Sequence, residues 1–256
     1  MDNKIVRAAA RAALALLAAA LICILSACTP EVPGNITTEA PATSSAPREL
    51  EVVSGGKAIY RVVYREGGTA AELEAARAVA KTLGRICSAE VTLASDILMP
   101  GQEYPAEGYD ILVGYTGYPE SRRAYEELSY GSYSVSADGG RIVLAARGDN
   151  EISRTTDEFL SLLTVTGKGD ECRVVFPSDA VRRGTLSDEA AALPMISGGE
   201  YDSVYSTGDG AYMVVVKKAD ADISTAYLAA LAEAGFEERI RHTDEKNVFC
   251  SFEGKG

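Results

Sequence analysis

The sequence predicts an α+β fold made of two small α/β sandwich-type units: a mixed sheet with helices on one side, then a ββαββ unit. Three observations predict it. Ile111, Leu112 and Val113 follow one another, as in a strand buried on both faces. Two stretches, 69–86 and 150–163, repeat apolar residues at helical spacing. Between them, residues 131–149 alternate apolar and polar around Asp138-Gly139-Gly140, the pattern of a hairpin.

The elements follow in order. In "LEVVSGGKAIYRVVYRE", from Leu50 to Glu66, Ile59, Val62, Val63 and Tyr64 suit strands around a Gly-Gly turn. Thr69 with Glu72 three residues on is a capping-box signature. Leu73, Ala76, Ala80, Leu83 and Ile86 or Cys87 then recur on one helical face. "EVTLASD" and "YDILVG" are strands. Tyr133, Val135 and Ala137 face one way on the first arm of the hairpin, and Ile142, Leu144 and Ala146 match them on the second. A helix follows with Ile152, Thr156, Phe159 and Leu163 inward, capped by Asp149 or Asn150. "ECRVVFP" is a further strand. Beyond Ser197 comes a hairpin around Gly208-Asp209-Gly210. A helix from Asp222 or Ser224 follows, with Ile223, Tyr227 and Leu231 inward and Gly235 as its stop. "FEERIRH" and "NVFCSFE" are the last strands.

"ILVGYTGYPESRRAYEEL", Ile111 to Leu128, has the outline of a phosphate-binding loop: apolar strand, Gly turn, helix. A dinucleotide fold needs G-x-G-x-x-G and a P-loop needs G-x-x-x-x-G-K-[ST]. Only Gly114 and Gly117 are present, with no Lys on the turn. Glu120 in the first helical turn is expected to occupy the electropositive end that a phosphate would need. Pro119 fits helix initiation. The Gly turn therefore reads as a connection between a central strand and a surface helix.

The N-terminus carries an address. Lys4, Arg7 and Arg11 precede an apolar run of about 14 residues, Ala12 to Leu25, shorter than the roughly 20 that span a bilayer. The run ends in "LSAC", Leu25 to Cys28, which resembles the lipobox of bacterial lipoproteins. The resemblance implies cleavage before Cys28, diacylation of Cys28, and a chain held at the cell membrane facing the exterior. Residues 29–48 are rich in Pro, Thr, Ser and Ala and have little to bury, so they read as a disordered tether spanning about 25 Å.

Charge and chemistry exclude several classes. The formal net charge is −12 and falls to −14 once the leader, with Lys4, Arg7 and Arg11 against Asp2, is removed. Such a chain lacks the clustered cations that nucleic acid requires. His242 is the single histidine, placed at an exposed strand end, so neither a triad nor a multi-His zinc site is indicated. Cys87, Cys172 and Cys250 are far apart and form no C-x-x-C pair. They read as three small buried residues, with one bridging pair in an oxidising exterior as the alternative. Tyr104, Tyr109, Tyr115, Tyr118, Tyr125, Tyr130 and Tyr133 read as core or edge packing rather than a sugar platform. No residue is assigned to catalysis, to a cofactor or to a metal.

"YDILVG" with "SYSVSADGGRIVLAARGDNEISRTTDEFLSLL" is similar to the small α/β domain preceding the catalytic barrel in β-hexosaminidases and α-glucuronidases. The matching positions are Ile111 to Gly114, Tyr133 to Ala146 and Phe159 to Leu163, within about residues 50–176. The helix opening departs, with Asn150-Glu151 where relatives carry a small residue. That domain is not catalytic, so the resemblance implies an accessory or scaffolding role associated with carbohydrate. The last unit resembles, in layout and in "AGF…NVFCSFE", the module before a metallo-β-lactamase-fold hydrolase in clostridial surface proteins. The expected organisation is a signal peptide (1–27), tether (28–48), accessory-like domain (49–183), linker (184–196) and a truncated ββαββ unit (197–256). Expected partners are the membrane, through the lipid on Cys28, and a cell-wall or extracellular glycan. The alternative is the non-catalytic N-terminal part of a longer exported hydrolase, of metallo-β-lactamase or glycoside-hydrolase type.

Overall fold

Ile111, Leu112 and Val113 are fully buried, and their strand, β5 (Asp110–Val113), lies inside the largest sheet. A computed structural model of the chain describes residues 49–198, 201–206, 212–217, 220–243 and 248–254. The leader, Cys28, the tether and the Gly208-Asp209-Gly210 turn lie outside the described residues, as does the side chain of His242. The fold is α+β with mixed sheets.

The large sheet also contains β3 (Arg61–Tyr64), β4 (Leu93–Ser95), β6 (Ser132–Asp138), β7 (Arg141–Ala146) and β10 (Val181–Thr185). Its order is β10-β6-β7-β5-β3-β4. β4, β3, β5 and β7 are parallel; β6 runs antiparallel to β7, and β10 antiparallel to β6. The β6–β7 hairpin has the expected register, with Val135 opposite Leu144 and Asp138 opposite Arg141. Gly139 and Gly140 both have positive φ, 58° and 84°, as a two-residue type I′ turn demands.

A second sheet has the order β2-β1-β9-β8, built from β1 (Glu49–Ser54), β2 (Lys57–Ala58), β8 (Thr164–Thr166) and β9 (Arg173–Pro177). The two sheets thus divide between them the strands expected over residues 50–66. β1 and β2 form a hairpin in one, and β3 enters the other.

Helix α1 (Ala70–Cys87) begins at the expected capping box, with Thr69 and Glu72 bonded reciprocally. Its buried face is Glu72, Ala75, Ala76, Val79, Leu83 and Cys87, slightly rotated from the expected stripe, and Ile86 is exposed. Helix α3 (Asp149–Leu162) buries Ile152, Thr155, Thr156 and Phe159. Its N-cap is Gly148, not Asp149 or Asn150. Glu151 folds back over the first turn, where a Cβ on residue 148 would collide with its carboxylate. Burial raises the Glu151 carboxyl pKa, and that of Asp149 beside it.

Both helices share one core with both sheets, and Phe159 stacks on Phe176 of β9 at 5.7 Å. Helix α2 (Pro119–Glu126) belongs to a different layer. Ala124, Tyr118 and Leu128 pack on Val63, Leu112, Val143 and Ala145, the opposite face of the large sheet. Helices therefore cover both faces, not one. This is the physical reason that β5 is apolar at consecutive positions.

Toward the C-terminus, short helix α4 (Asp188–Ala191) buries Ala190 against Tyr130. Then follow β11 (Tyr201–Ser206), β12 (Tyr212–Lys217), helix α5 (Ala221–Glu233), β13 (Phe236–Thr243) and β14 (Val248–Gly254). Asp220, not Asp222 or Ser224, caps α5, accepting from the Ile223 N–H at 2.8 Å. His242 lies in β13 opposite Phe249. Among the described strands, β14 pairs with β13 alone.

Cys87 and Cys172 are joined in a disulfide, which corrects the expectation of separate buried thiols. Two long-range placements bring them together: the last residue of α1, and the residue just before β9, with Cα atoms 5.5 Å apart. Spacing in sequence carries no trace of this, because the pair is 85 residues apart. A loop of that length loses much entropy on closure. The double variant Cys87→Ala, Cys172→Ala should unfold with about 4–5 kcal/mol less stability. Urea unfolding under non-reducing conditions measures this, and an unchanged midpoint would contradict it.

Tyr60, between β2 and β3, is buried and donates its hydroxyl to the Gly140 carbonyl at 2.6 Å. Burial, with smaller effects from Tyr109 and Asp110, pushes its pKa up to about 12. A buried neutral phenol raised above its ordinary value of about 10 stabilises the fold fully below pH 10. That contribution is lost as pH rises toward 12. Stability should fall by about 1–3 kcal/mol over this window and fall less steeply in Tyr60→Phe. Urea midpoints at several alkaline pH values test the difference, and parallel curves would refute it.

Candidate functional site

Chain order sets the location. From β3 the chain crosses through α1 to β4 on one side. After β5 it proceeds through α2 and β6 to β7 on the other side. The direction of winding reverses between β3 and β5. Open α/β sheets hold ligands outside the carboxyl ends of their strands at such a point.

A cleft of about 250 Å³ lies there, lined by Arg65, Glu66, Asp96, Tyr104, Tyr115, Thr116, Gly117 and Arg122. Arg65 and Glu66 directly follow β3, Asp96 follows β4, and residues 115–117 follow β5. Arg122 comes from α2 and Tyr104 from the β4–β5 loop. The guanidinium groups of Arg65 and Arg122 lie 5.2 Å and 5.9 Å from the centre of the Tyr115 ring. Tyr104 donates its hydroxyl to the Asp96 carbonyl at 3.0 Å and sits against Tyr118, ring centres 4.6 Å apart. Burial first, then the Asp96 charge, raises the pKa of Tyr104.

The Gly turn is closed by the protein's own side chains. Glu72 accepts from the Thr69 N–H through one oxygen and from the Tyr115 N–H through the other, each at 2.9 Å. The Thr116 N–H meets Ser121 Oγ at 2.9 Å. Asp96 accepts from the Gly117 N–H at 2.7 Å and from the Glu66 N–H at 2.8 Å. Two resident carboxylates thus sit where a phosphate would place its oxygens. Gly114, at φ 78°, is required twice over: for the backbone conformation, and because a Cβ there would collide with Glu72.

Glu120 does not do what the sequence suggested. It turns away to the buried Arg141, Nη1 to Oε1 2.7 Å. Arg123 likewise reaches Asp138 beside the β6–β7 turn at 2.6 Å, while Tyr125 lies against Arg147 just past the other end of β7. Helix α2 therefore runs alongside β7 in the same sense. Its first turn still touches the Gly turn through Ser121, which accepts from the Thr116 N–H and donates to the Gly114 carbonyl at 2.6 Å.

The Arg141 guanidinium also donates to Asp110 at 3.3 Å and to the Pro105 and Ala106 carbonyls at 2.6 Å and 3.2 Å. Asp110 accepts in turn from Arg61 at 2.6 Å. The Asp110 hydrogen bond is the main reason that the pKa of Arg61 is raised.

Of the tyrosines singled out in the sequence, Tyr118, Tyr125, Tyr130 and Tyr133 are buried, Tyr109 is exposed, and Tyr104 and Tyr115 line the cleft. Sequence reasoning missed Arg65, Asp96, Thr116 and Arg122. Their shared signal, a polar residue just past an apolar strand, recurs at many loops. Among the described residues no group of three or more His, Cys, Asp and Glu side chains is placed to hold a metal ion. No family model matches the chain, and a search of curated proteins finds no match.

Glu72→Ala should cost about 2–4 kcal/mol, because two main-chain donors lose charged partners. Gly114→Ala should cost about 1–3 kcal/mol. Combined, they should cost less than the sum of the two, since removing Glu72 clears the space an added methyl needs. Urea unfolding of the three variants measures the coupling. Strict additivity would show that the two residues do not constrain each other.

Proposed function

We propose that the chain is a bacterial lipoprotein tethered to the outer face of the cell membrane through Cys28, with a non-catalytic accessory or scaffolding role toward carbohydrate. One observation carries the reading. A chain with "LSAC" behind a basic, apolar leader also holds a disulfide, Cys87–Cys172, deep in its body. Disulfides of this kind persist in oxidising compartments and are rare in cytosol. The two features are independent, one from the leader and one from the core, and both speak for export.

The non-catalytic reading draws support from the Gly turn, whose amide donors are spent on Glu72, Ser121 and Asp96. In this proposal residues 49–183 are a domain like the accessory domain of β-hexosaminidases and α-glucuronidases. The order of β5, hairpin and α3 supports that likeness. Residues 184–196 join it to a second sandwich-type unit, 197–256, whose described elements have the order ββαββ. The partners are the membrane, through the lipid, and an extracellular or cell-wall glycan.

Cells grown with labelled palmitate should incorporate label into the wild-type chain and retain it in the membrane fraction. Cys28→Ala should carry no label, and its leader should not be processed at the same bond. Equal labelling and membrane retention in both forms would sink the tether.

A further inference from the structure

We propose that the cleft outside the ends of β3, β4 and β5 binds a neutral saccharide unit through matched hydrogen-bond donors and acceptors. The proposal deepens the carbohydrate-associated reading above and rests on it. Its lining contains two guanidinium groups, Arg65 and Arg122, and two carboxylates, Glu66 and Asp96. An anion entering the cleft meets the carboxylates, and a simple cation meets the guanidinium groups. A polyhydroxylated ring avoids both penalties, because every hydroxyl both donates and accepts.

The groups are held ready for such a ligand. Each Asp96 oxygen has one bond to a main-chain amide, which leaves lone pairs for ligand hydroxyls. The Tyr104 hydroxyl donates to the Asp96 carbonyl and keeps its own acceptor capacity. Both guanidinium groups flank the Tyr115 ring, so little side-chain freedom is lost when they engage.

Thr116 provides a second, independent pointer. It lines the cleft and is fully buried, yet its Oγ1 has no hydrogen-bond partner in the structure. Buried hydroxyl groups are almost always satisfied. A ligand hydroxyl or a water that reaches this atom by a small shift of the cleft wall would satisfy it, whereas an apolar ligand would not.

The test uses the full chain in detergent with glucose, N-acetylglucosamine, glycine and inorganic phosphate as separate probes. Ligand-observed saturation-transfer NMR reads binding. Glu66 and Arg122 are exposed, so Glu66→Gln and Arg122→Ala keep the fold, as their urea midpoints will report. A sugar should give saturation transfer with wild type. Each variant should weaken its affinity about tenfold or more, the loss of one charge-assisted hydrogen bond.

Silence from both sugars overturns the proposal. Sugar signals that survive both substitutions also overturn it, since binding then lies elsewhere. Signals from glycine or phosphate alone would show a cleft that reads charge, and would overturn it too. Membrane fractionation of the source cells before detergent is added reports separately on the tether. A sugar-binding chain that stays soluble defeats the tether alone, and a membrane-bound chain silent to sugars defeats the cleft alone. Hydrolysis of a chromogenic N-acetylglucosaminide would defeat the non-catalytic reading without touching the binding claim.

Discussion

Arg141 heads the largest fully buried side chains, and a buried guanidinium must find its partners inside the protein. It finds them in four places at once: Asp110 on β5, Glu120 on α2, and the carbonyls of Pro105 and Ala106 on the β4–β5 loop. Tyr118 covers its flat face at 5.1 Å. Removing one partner of such a buried set leaves a charge uncompensated, a cost of about 3–5 kcal/mol. That cost holds the β4–β5 loop in one path. The same loop carries Asp96 and Tyr104 to the cleft. The geometry at the carboxyl ends of the strands is thus set in part by a cation at the start of β7.

The Gly114 turn shows how a familiar outline can serve a different end. A strand, a glycine and a helix are necessary for a phosphate loop, but free amides and an aligned helix N-terminus are what bind the anion. Here the amides are consumed by Glu72, Asp96 and the hydroxyl of Ser121 in the first turn of α2. Glu72 is also half of the capping box of α1. One carboxylate therefore fastens a helix start to a strand end, and the turn becomes a joint.

What the sequence disclosed was local. The Thr69–Glu72 box, the Asp138-Gly139-Gly140 turn and the register of its hairpin depend on residues a few places apart, and each was legible. β8 and β10 were not, because Thr164–Thr166 and Val181–Thr185 are short and mostly exposed, so no alternation marks them. The side of the sheet taken by α2 was also missed. It depends on Leu112 and Val143 facing away from Ile111 and Ile142, which only the assembled sheet reveals. The turn was judged correctly as a connection, but for the wrong carboxylate. Glu120 was adjacent and visible, whereas Glu72 and Asp96 arrive from 43 and 21 residues away. The cleft was illegible for the same reason, since three strand ends separated in sequence supply its lining.

The Cys87–Cys172 bridge spans the cleft lining other than Arg65 and Glu66, and four strands of the large sheet, β4 to β7. Within that stretch the β4–β5 loop exposes Ile97 and Met99, each 66% accessible, the kind of segment a protease attacks. A single cut there leaves two pieces still covalently joined, with the helix that precedes the cut tied to the residue just before β9 of the second sheet. A nicked molecule would keep its mass and its neighbours, so damage at the surface need not mean loss of the part.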